Sequence, residues 1–490
     1  MGTIQKQGLI NTVIIYFGVA LGLVNRIIVQ PHFLTQSEIG LSSLLIGFSS
    51  LLSTFFIFGT SNMCVRYFPM FRDAEKKHHG FLGFVLLFPL AGAVAGGGIY
   101  LLLRSWLLHR YEINSPLFTN YFDWTFPLAV VISFAIALNS YSNSLHKTTF
   151  PSFLNDIWLR IVLVAGAIAY GMNYISLDSF VIIIFISYFT QMIFLAIYIY
   201  TIDKPGLKID WPFVRSIGVP GILRYTFLLA ITALTSLSIK SLDNVMIGSY
   251  LGEDFSGVFS IGMFIAMFIE TPLYSLERIA GTKIAHAFAV NNTEEIREIY
   301  YRSVRYLFLV GGFLTVGIVT NIHDLLRLLP DGYKDAANVT ILLSVGSLIN
   351  MATGVNSPIL FNSSKYFWGF IFLLILLILS VVLNVFFIPV YGIAGAAIAT
   401  GLASTLFNIM KFIYIKNKFG MQPYDMRTLK IVGIISLCFA VAYFIPVPSN
   451  PWFAIAERGI VTTILYVGLT YFLSIVPEYH HWLTGRFRRK

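Results

Sequence analysis

Phe33-Leu34-Thr35-Gln36-Ser37-Glu38-Ile39-Gly40-Leu41-Ser42-Ser43 decides how the rest of this chain is read, because the chain says it twice. The echo is Tyr250-Leu251-Gly252-Glu253-Asp254-Phe255-Ser256-Gly257-Val258-Phe259-Ser260, with aromatic, Leu, Gly and Ser in the same places. Gly40 answers Gly257, an offset of 217, and the same offset joins Asn139-Ser140 to Asn356-Ser357, Arg66 to Lys283 and Tyr174 to Tyr391. Four ungapped pairs over more than a hundred residues imply two homologous halves.

Composition says what the halves are made of. The 490 residues are 57% hydrophobic and 11% charged, and the mean hydropathy is +0.77. A soluble globular chain carries about 25% charged residues, so most of this surface meets something other than water. Apolar runs of about 20 residues, the length that crosses a hydrocarbon core of ~30 Å, recur from end to end. They do not alternate polar and apolar positions as barrel strands do. The fold class is therefore an all-α polytopic membrane protein. Helices are expected near 8–31, 38–62, 80–103, 121–143, 154–172 and 178–201, and again near 217–248, 255–277, 303–321, 336–359, 365–388 and 393–415. Two more follow near 429–446 and 458–475, giving 14 transmembrane helices. The domains are a six-helix lobe over 1–209, a second over 210–419, and two additional helices with a basic tail over 420–490. Six is even, so the lobes are parallel repeats about an axis normal to the membrane, as in alternating-access carriers.

Charge orients the chain. Most of the 33 Lys and Arg fall in the loops after even-numbered helices and in the termini. Among them are Arg66, Arg72, Lys76, Lys77, Lys204, Lys208, Arg297, Arg302, Arg305, Lys411 and Lys416, with Lys490 in the tail. Basic loops mark the cytoplasmic side, which places both termini in the cytoplasm and the 104–120 connection outside. The net charge of +10 has this cause, so no nucleic acid partner is implied. Asn291-Asn292-Thr293-Glu294-Glu295 carries an N-cap signal and reads as a separate cytoplasmic helix through Tyr301. Cys64 and Cys438 lie in apolar surroundings and imply no disulfide. Lys6, Arg26 and the missing small-residue cleavage site make the N-terminus an uncleaved first helix.

Two glycine-rich stretches, Ala91–Gly98 and Gly392–Ala397, lack the Lys and Ser/Thr of a P-loop and read as close helix contacts. His78-His79 and His480-His481 have no third ligand at metal spacing and read as solvated loop residues. No metal, cofactor or catalytic motif is expected, and the chain is not expected to be an enzyme. Movement across the membrane would run on an ion gradient, the membrane potential or the gradient of the substrate itself.

Ionisable groups at bilayer depth usually face a cavity or a partner. Arg26 maps by the offset onto Asp243, so one pseudo-symmetric position carries opposite charges. Lys240 and Asp243 share a helix face; Arg224 lies early in the same helix, and Arg160 lies close enough to a helix end to reach the interface. Arg26, Arg224, Lys240 and Asp243, with the repeat-related Asn139 and Asn356, are the candidate substrate-binding residues. Glu270, just before the helix-bending Pro272, is the coupling-ion candidate, for a proton or sodium. The alternative for the polar members is purely structural pairing and interhelical hydrogen bonding.

Gly40-Leu-Ser-Ser-Leu-Leu-Ile-Gly-Phe-Ser-Ser, Phe58-Gly59-Thr60-Ser61-Asn62 and Arg66-Tyr67-Phe68-Pro69 together resemble the polysaccharide-export flippases that carry O-antigen units. So do Asp243-Asn-Val-Met-Ile-Gly-Ser-Tyr-Leu-Gly through Gly257, Pro272 followed by Lys283, and Pro389-Val-Tyr-Gly-Ile-Ala-Gly-Ala-Ala-Ile-Ala-Thr. The resemblance covers nearly the whole chain. It implies two six-helix lobes and movement of an undecaprenyl-diphosphate-linked oligosaccharide from the cytoplasmic to the periplasmic leaflet of the bacterial inner membrane, for O-antigen or capsule assembly. Implied partners are the lipid-linked oligosaccharide, membrane lipids and other polysaccharide-assembly proteins. Two alternatives stay open: a membrane polymerase or glycosyltransferase of the same pathway, and a cation-coupled drug antiporter of the same fold.

Overall fold

The computed structural model describes residues 14, 17–446 and 448–475, and only the backbone for 228–240. Every regular element among them is helical. Chain contacts divide it into two compact units, 1–260 and 261–490, whereas the repeat places its own boundary near 209/210.

The first unit begins with a π-helical turn, Val24–Val29, running into Gln30–Phe33. Its labelled helices are α1 (Gln36–Phe71), α2 (Phe81–Glu112), α3 (Pro116–Ser144), α4 (Thr149–Gly171), α5 (Leu177–Asp203), the short α6 (Trp211–Ile217) and α7 (Val219–Tyr250). Glu253–Ala289, α8, opens in the first unit and continues into the second. The second unit holds α9 (Thr293–Leu326), α10 (Ala336–Ala352), α11 (Asn356–Asn362), α12 (Tyr366–Phe419), α13 (Met426–Phe444) and α14 (Pro451–Phe472). Ten described helices are long and apolar enough to cross a membrane, and α10 with α11 makes an eleventh as a span broken by a 55° bend.

The repeated stretch is where the first unit is drawn together. Phe33 and Tyr250 each end a helix, and Gln36 and Glu253 each begin the next, so both boundaries sit 217 apart. The Ser37 hydroxyl donates to Asp254, its own repeat mate. A Cβ on Gly40 would collide with the Glu253 carbonyl, and one on Gly257 with the Gln36 carbonyl. Repeat-related residues that touch each other lie on a twofold relation, and only glycine allows backbones this near. Thr35 caps α1 in a capping box with Glu38, which fixes where the crossing begins.

Elsewhere, among the described residues, the expected helices are found with one difference; part of the first, near 8–31, lies outside them. The helix read over Asn291–Tyr301 is not separate: Asn292 caps it, accepting from the Glu295 amide at 3.2 Å, and it continues as α9 to Leu326. The eleventh and twelfth expected helices are the two arms of α12, separated by Gly392 at φ 61°, ψ −140°, a conformation that glycine alone adopts readily. A Cβ on Gly395 would meet the Phe387 carbonyl, so the two arms of α12 approach closely, as the small residues there imply. Pro272 sits in the first turn of the helix that follows a 3₁₀ interruption at Phe268–Glu270.

Candidate charged sites in the two units

In the first unit the π turn carries the site. One extra residue per turn rotates the following side chains, a device common at functional positions. Here Arg26 Nη1 donates to Gln30 Oε1 at 2.6 Å and Nη2 to Ser43 Oγ at 3.2 Å. Gln30 and the neighbouring Asn25 are buried, so Arg26 is a half-buried cation among amide and hydroxyl groups, facing α1. Its repeat mate Asp243 is buried on α7, next to the buried Asn244, which accepts from Ser256 Oγ at 3.2 Å. Arg26 and Asp243 each make further interactions. Arg224 is exposed on α7 beside Tyr225, and the Arg66 guanidinium lies 4.1 Å over the Tyr225 ring. Asn139 is half-buried, and its neighbour Ser140 bonds Ser61 at 2.8 Å. The Lys240 side chain falls outside the described residues. Arg160 is half-buried, with its Nη1 enclosed and without a hydrogen-bond partner.

The second unit holds a cluster that the sequence reading missed. Lys411, taken as a cytoplasmic loop cation, is 2% exposed on the second arm of α12. Its Nζ donates to Ser357 Oγ at 2.9 Å and lies 4.1 Å over the Phe407 ring. Ser357 opens α11 just after the 55° break and also bonds the Glu277 carboxyl of α8. Glu270, one 3₁₀ step before α8 resumes, accepts from Tyr274 at 2.6 Å and shares the electrostatic field of Lys411. Ser357, just past the break in α10–α11, thus links the Lys411 ammonium to the Glu277 carboxyl. One ammonium facing two carboxyls balances when one carboxyl holds a proton or a cation. Beside it runs an amide ladder: Asn356 Nδ2 to Asn408 Oδ1 at 3.4 Å, Asn408 Nδ2 to Asn350 Oδ1 at 3.0 Å, and Thr353 Oγ1 to Asn408 Oδ1 at 3.2 Å. Asn356 and Asn408 are fully buried. The available signal was Asn408 three residues before Lys411 inside an apolar window, one helix face carrying both.

Two further loop assignments are corrected. Arg305 is buried in α9, with its guanidinium 5.1 Å over the Tyr301 ring. His78 and His79 are buried rather than solvated, because Lys77, His78, His79 and Gly80 all take left-handed backbone angles that turn both rings inward. The Asp73 amide donates to His78 Nδ1 at 3.0 Å, which leaves Nε2–H to donate to Asp203 at 2.8 Å; Tyr141 donates to the other oxygen at 2.6 Å. His79 Nδ1 lies 2.9 Å from Asp210, and its Nε2 lies 3.7 Å from Asp73. The connection 204–210 is tied to this turn by Gly206 N to Lys77 O and Asp210 N to His79 O. His480 and His481 lie outside the described residues.

Comparison with known proteins places this geometry. The MatE family model matches residues 229–386. The fold is that of solved MOP-type transporters. "Lipid II flippase MurJ, inward closed conformation" aligns with a TM-score of 0.78 at 16% identity, covering 95% of this chain and 98% of that one. An inward-facing multidrug resistance MATE family transporter of the MOP superfamily aligns at 0.62 and 14% identity, covering 84% and 98%. A MOP superfamily transporter from Pyrococcus furiosus, described as having a binding pocket of reverse polarity, aligns at 0.57 and 12% identity, covering 86% and 96%. No curated protein sequence matches.

Proposed function

We propose that the chain is a flippase that moves an undecaprenyl-diphosphate-linked oligosaccharide between leaflets by alternating access, for assembly of a cell-surface polysaccharide. The observation that carries this reading is the length of the fold likeness. It extends over 95% of the chain for a protein titled a lipid II flippase and over 84% for the multidrug transporter. The difference is about the size of 420–475, the stretch that holds α13 and α14. A carrier whose substrate has a long hydrocarbon tail has a use for two added apolar helices that a carrier of small drugs lacks.

Arg26 is the residue assigned to the diphosphate. Bringing an anion out of water is costly unless a cation waits for it, and the guanidinium fork suits bidentate phosphate contact in a way that an ammonium does not. Arg224, Lys240, Asp243, Asn139 and Asn356 are assigned to the polar remainder of the substrate. The Lys411–Glu277–Glu270 cluster is assigned to coupling, with a proton or sodium taken by the carboxyls.

The test is surface glycan display in a deletion strain, normalised to membrane protein level. Arg26→Ala is expected to insert normally and abolish display, and Arg26→Lys to restore it in part. Wild-type display from Arg26→Ala at equal expression would overturn the assignment of this residue. Failure of the unaltered chain to restore display would overturn the flippase reading.

A further inference from the structure

The two-turn helix α6 is held from behind. Its N-cap Asp210 accepts the Phe213 amide on Oδ1 at 3.2 Å and the His79 ring on Oδ2 at 2.9 Å. These two bonds, the one from His79 foremost, hold the Asp210 carboxyl below the usual carboxylate range. His79 also stacks on Phe213, with centroids 3.6 Å apart and planes within 7°. Helix α6 cannot tilt without breaking these contacts.

In front, α6 closes a groove. Trp211 meets Phe84 edge-on at 6.4 Å and walls a cavity of about 420 Å³ together with Phe88, Leu223, Phe227 and Phe58. Phe58 is the left-handed break in α1. The hydroxyl in the lining, on Thr226, is spent on the Ile222 carbonyl at 2.8 Å. The groove therefore offers mainly hydrocarbon contact. At its α6 end the chemistry changes. Arg215 lies one turn beyond Trp211 on the same helical face, and both Arg215 and Arg224, next to Leu223, are exposed.

We infer that this groove in the first unit binds the hydrocarbon chain of a phosphorylated polyprenyl carrier, with the phosphate at Arg215. The site rests on the flippase reading for its ligand and adds a place where the lipid is first held. A preformed apolar trough needs no ordering on binding, which favours affinity, and a cation at its mouth complements an anionic head. One trough with one cationic mouth suits a lipid with a single chain per phosphate, whereas a glycerophospholipid brings two chains.

The experiment uses the full chain in nanodiscs with an undecaprenyl phosphate analogue carrying a photoreactive group in its chain. Crosslinks are expected within 81–91 and 219–227, competed by unlabelled undecaprenyl phosphate and not by equimolar phosphatidylglycerol. Leu223→Trp, which fills the groove, is expected to remove the labelling. Arg215→Gln, at an exposed position that leaves the fold alone, is expected to raise the concentration needed about fivefold. Both variants are checked for monodisperse elution. Equal competition by phosphatidylglycerol would mean an ordinary boundary lipid and overturn the inference, as would labelling unchanged in both variants. Glycan display separates the two readings. An unaltered chain that restores display but shows no groove labelling overturns the groove alone. Groove labelling as expected, with no display from the unaltered chain, leaves the groove standing and removes the flippase.

Discussion

Lys411 and Glu277 show at the scale of single residues what burial does to charge. An ammonium 2% exposed is tolerable because a hydroxyl and an aromatic face meet it and the field of two carboxyls reaches it. Removing one partner leaves the other charge with less compensation. Lys411→Met alone and Glu277→Gln alone are thus expected to lower the amount of folded protein sharply. The double variant should recover much of it, because neither charge then remains. Recovery of fold without recovery of glycan display is the outcome that marks the pair as part of coupling; full display from the double variant would make it structural only. Sequence reasoning singles out Arg26, Asp243 and Glu270, since charges inside apolar runs stand out. It lost Lys411 to the rule that assigns cations near helix ends to loops, and it lost His78 and His79 because a run of left-handed residues leaves no mark that single-residue propensities report.

Helix α9 is the element on which the second unit is assembled, and its far end shows how α14 is attached. Asp324 accepts from Arg458 Nη1 at 2.5 Å and from Arg327 Nη1 at 3.0 Å, and Arg458 also donates to the Thr320 carbonyl at 3.1 Å. Asp324 and Arg458 are buried, while Arg327 stays half in the open and bonds the Ser449 carbonyl at 2.8 Å. Eight residues along α14, Tyr466 bonds the Leu309 carbonyl at 2.7 Å. The helices themselves were legible from apolar runs and caps; this clamp was not, since spacing within one helix says nothing about a partner over a hundred residues away. Asp324→Ala should cost about 3–5 kcal/mol, because Arg458 has no route to water whereas Arg327 has one. Asp324→Leu combined with Arg458→Met should cost much less, since apolar side chains of similar volume replace a buried pair at little loss. Thermal unfolding of the purified variants in detergent measures both, and equal losses in the single and double variants would remove the clamp from the account of how α14 is held.

At the scale of the whole molecule, the repeat and the charge bias together fix an orientation that can be tested directly. The offset of 217 holds at the helix boundaries 33/250 and 36/253, and α5 and α12 end 216 apart, one residue from it. The histidine turn adds a physical reason for the charge bias. By tying 73–80 to 203–210 it gathers Arg72, Lys76, Lys77, Lys204 and Lys208 into one corner of the first unit, where short basic loops resist translocation. That corner is expected to be cytoplasmic, and the 104–120 connection external. Ala74 and Asn114 are both exposed, and the native Cys64 and Cys438 are fully buried, so single cysteines at 74 and 114 are read against a silent background. Asn114→Cys should react with an impermeant thiol reagent added to intact cells, although it gives up its bonds to the Ser249 and Tyr250 carbonyls at 3.0 and 3.2 Å. Ala74→Cys should react only after the cells are opened. Labelling of Ala74→Cys in intact cells would invert the orientation and place Arg215 and the groove it guards in the outer leaflet, where a lipid carrier would be released rather than taken up.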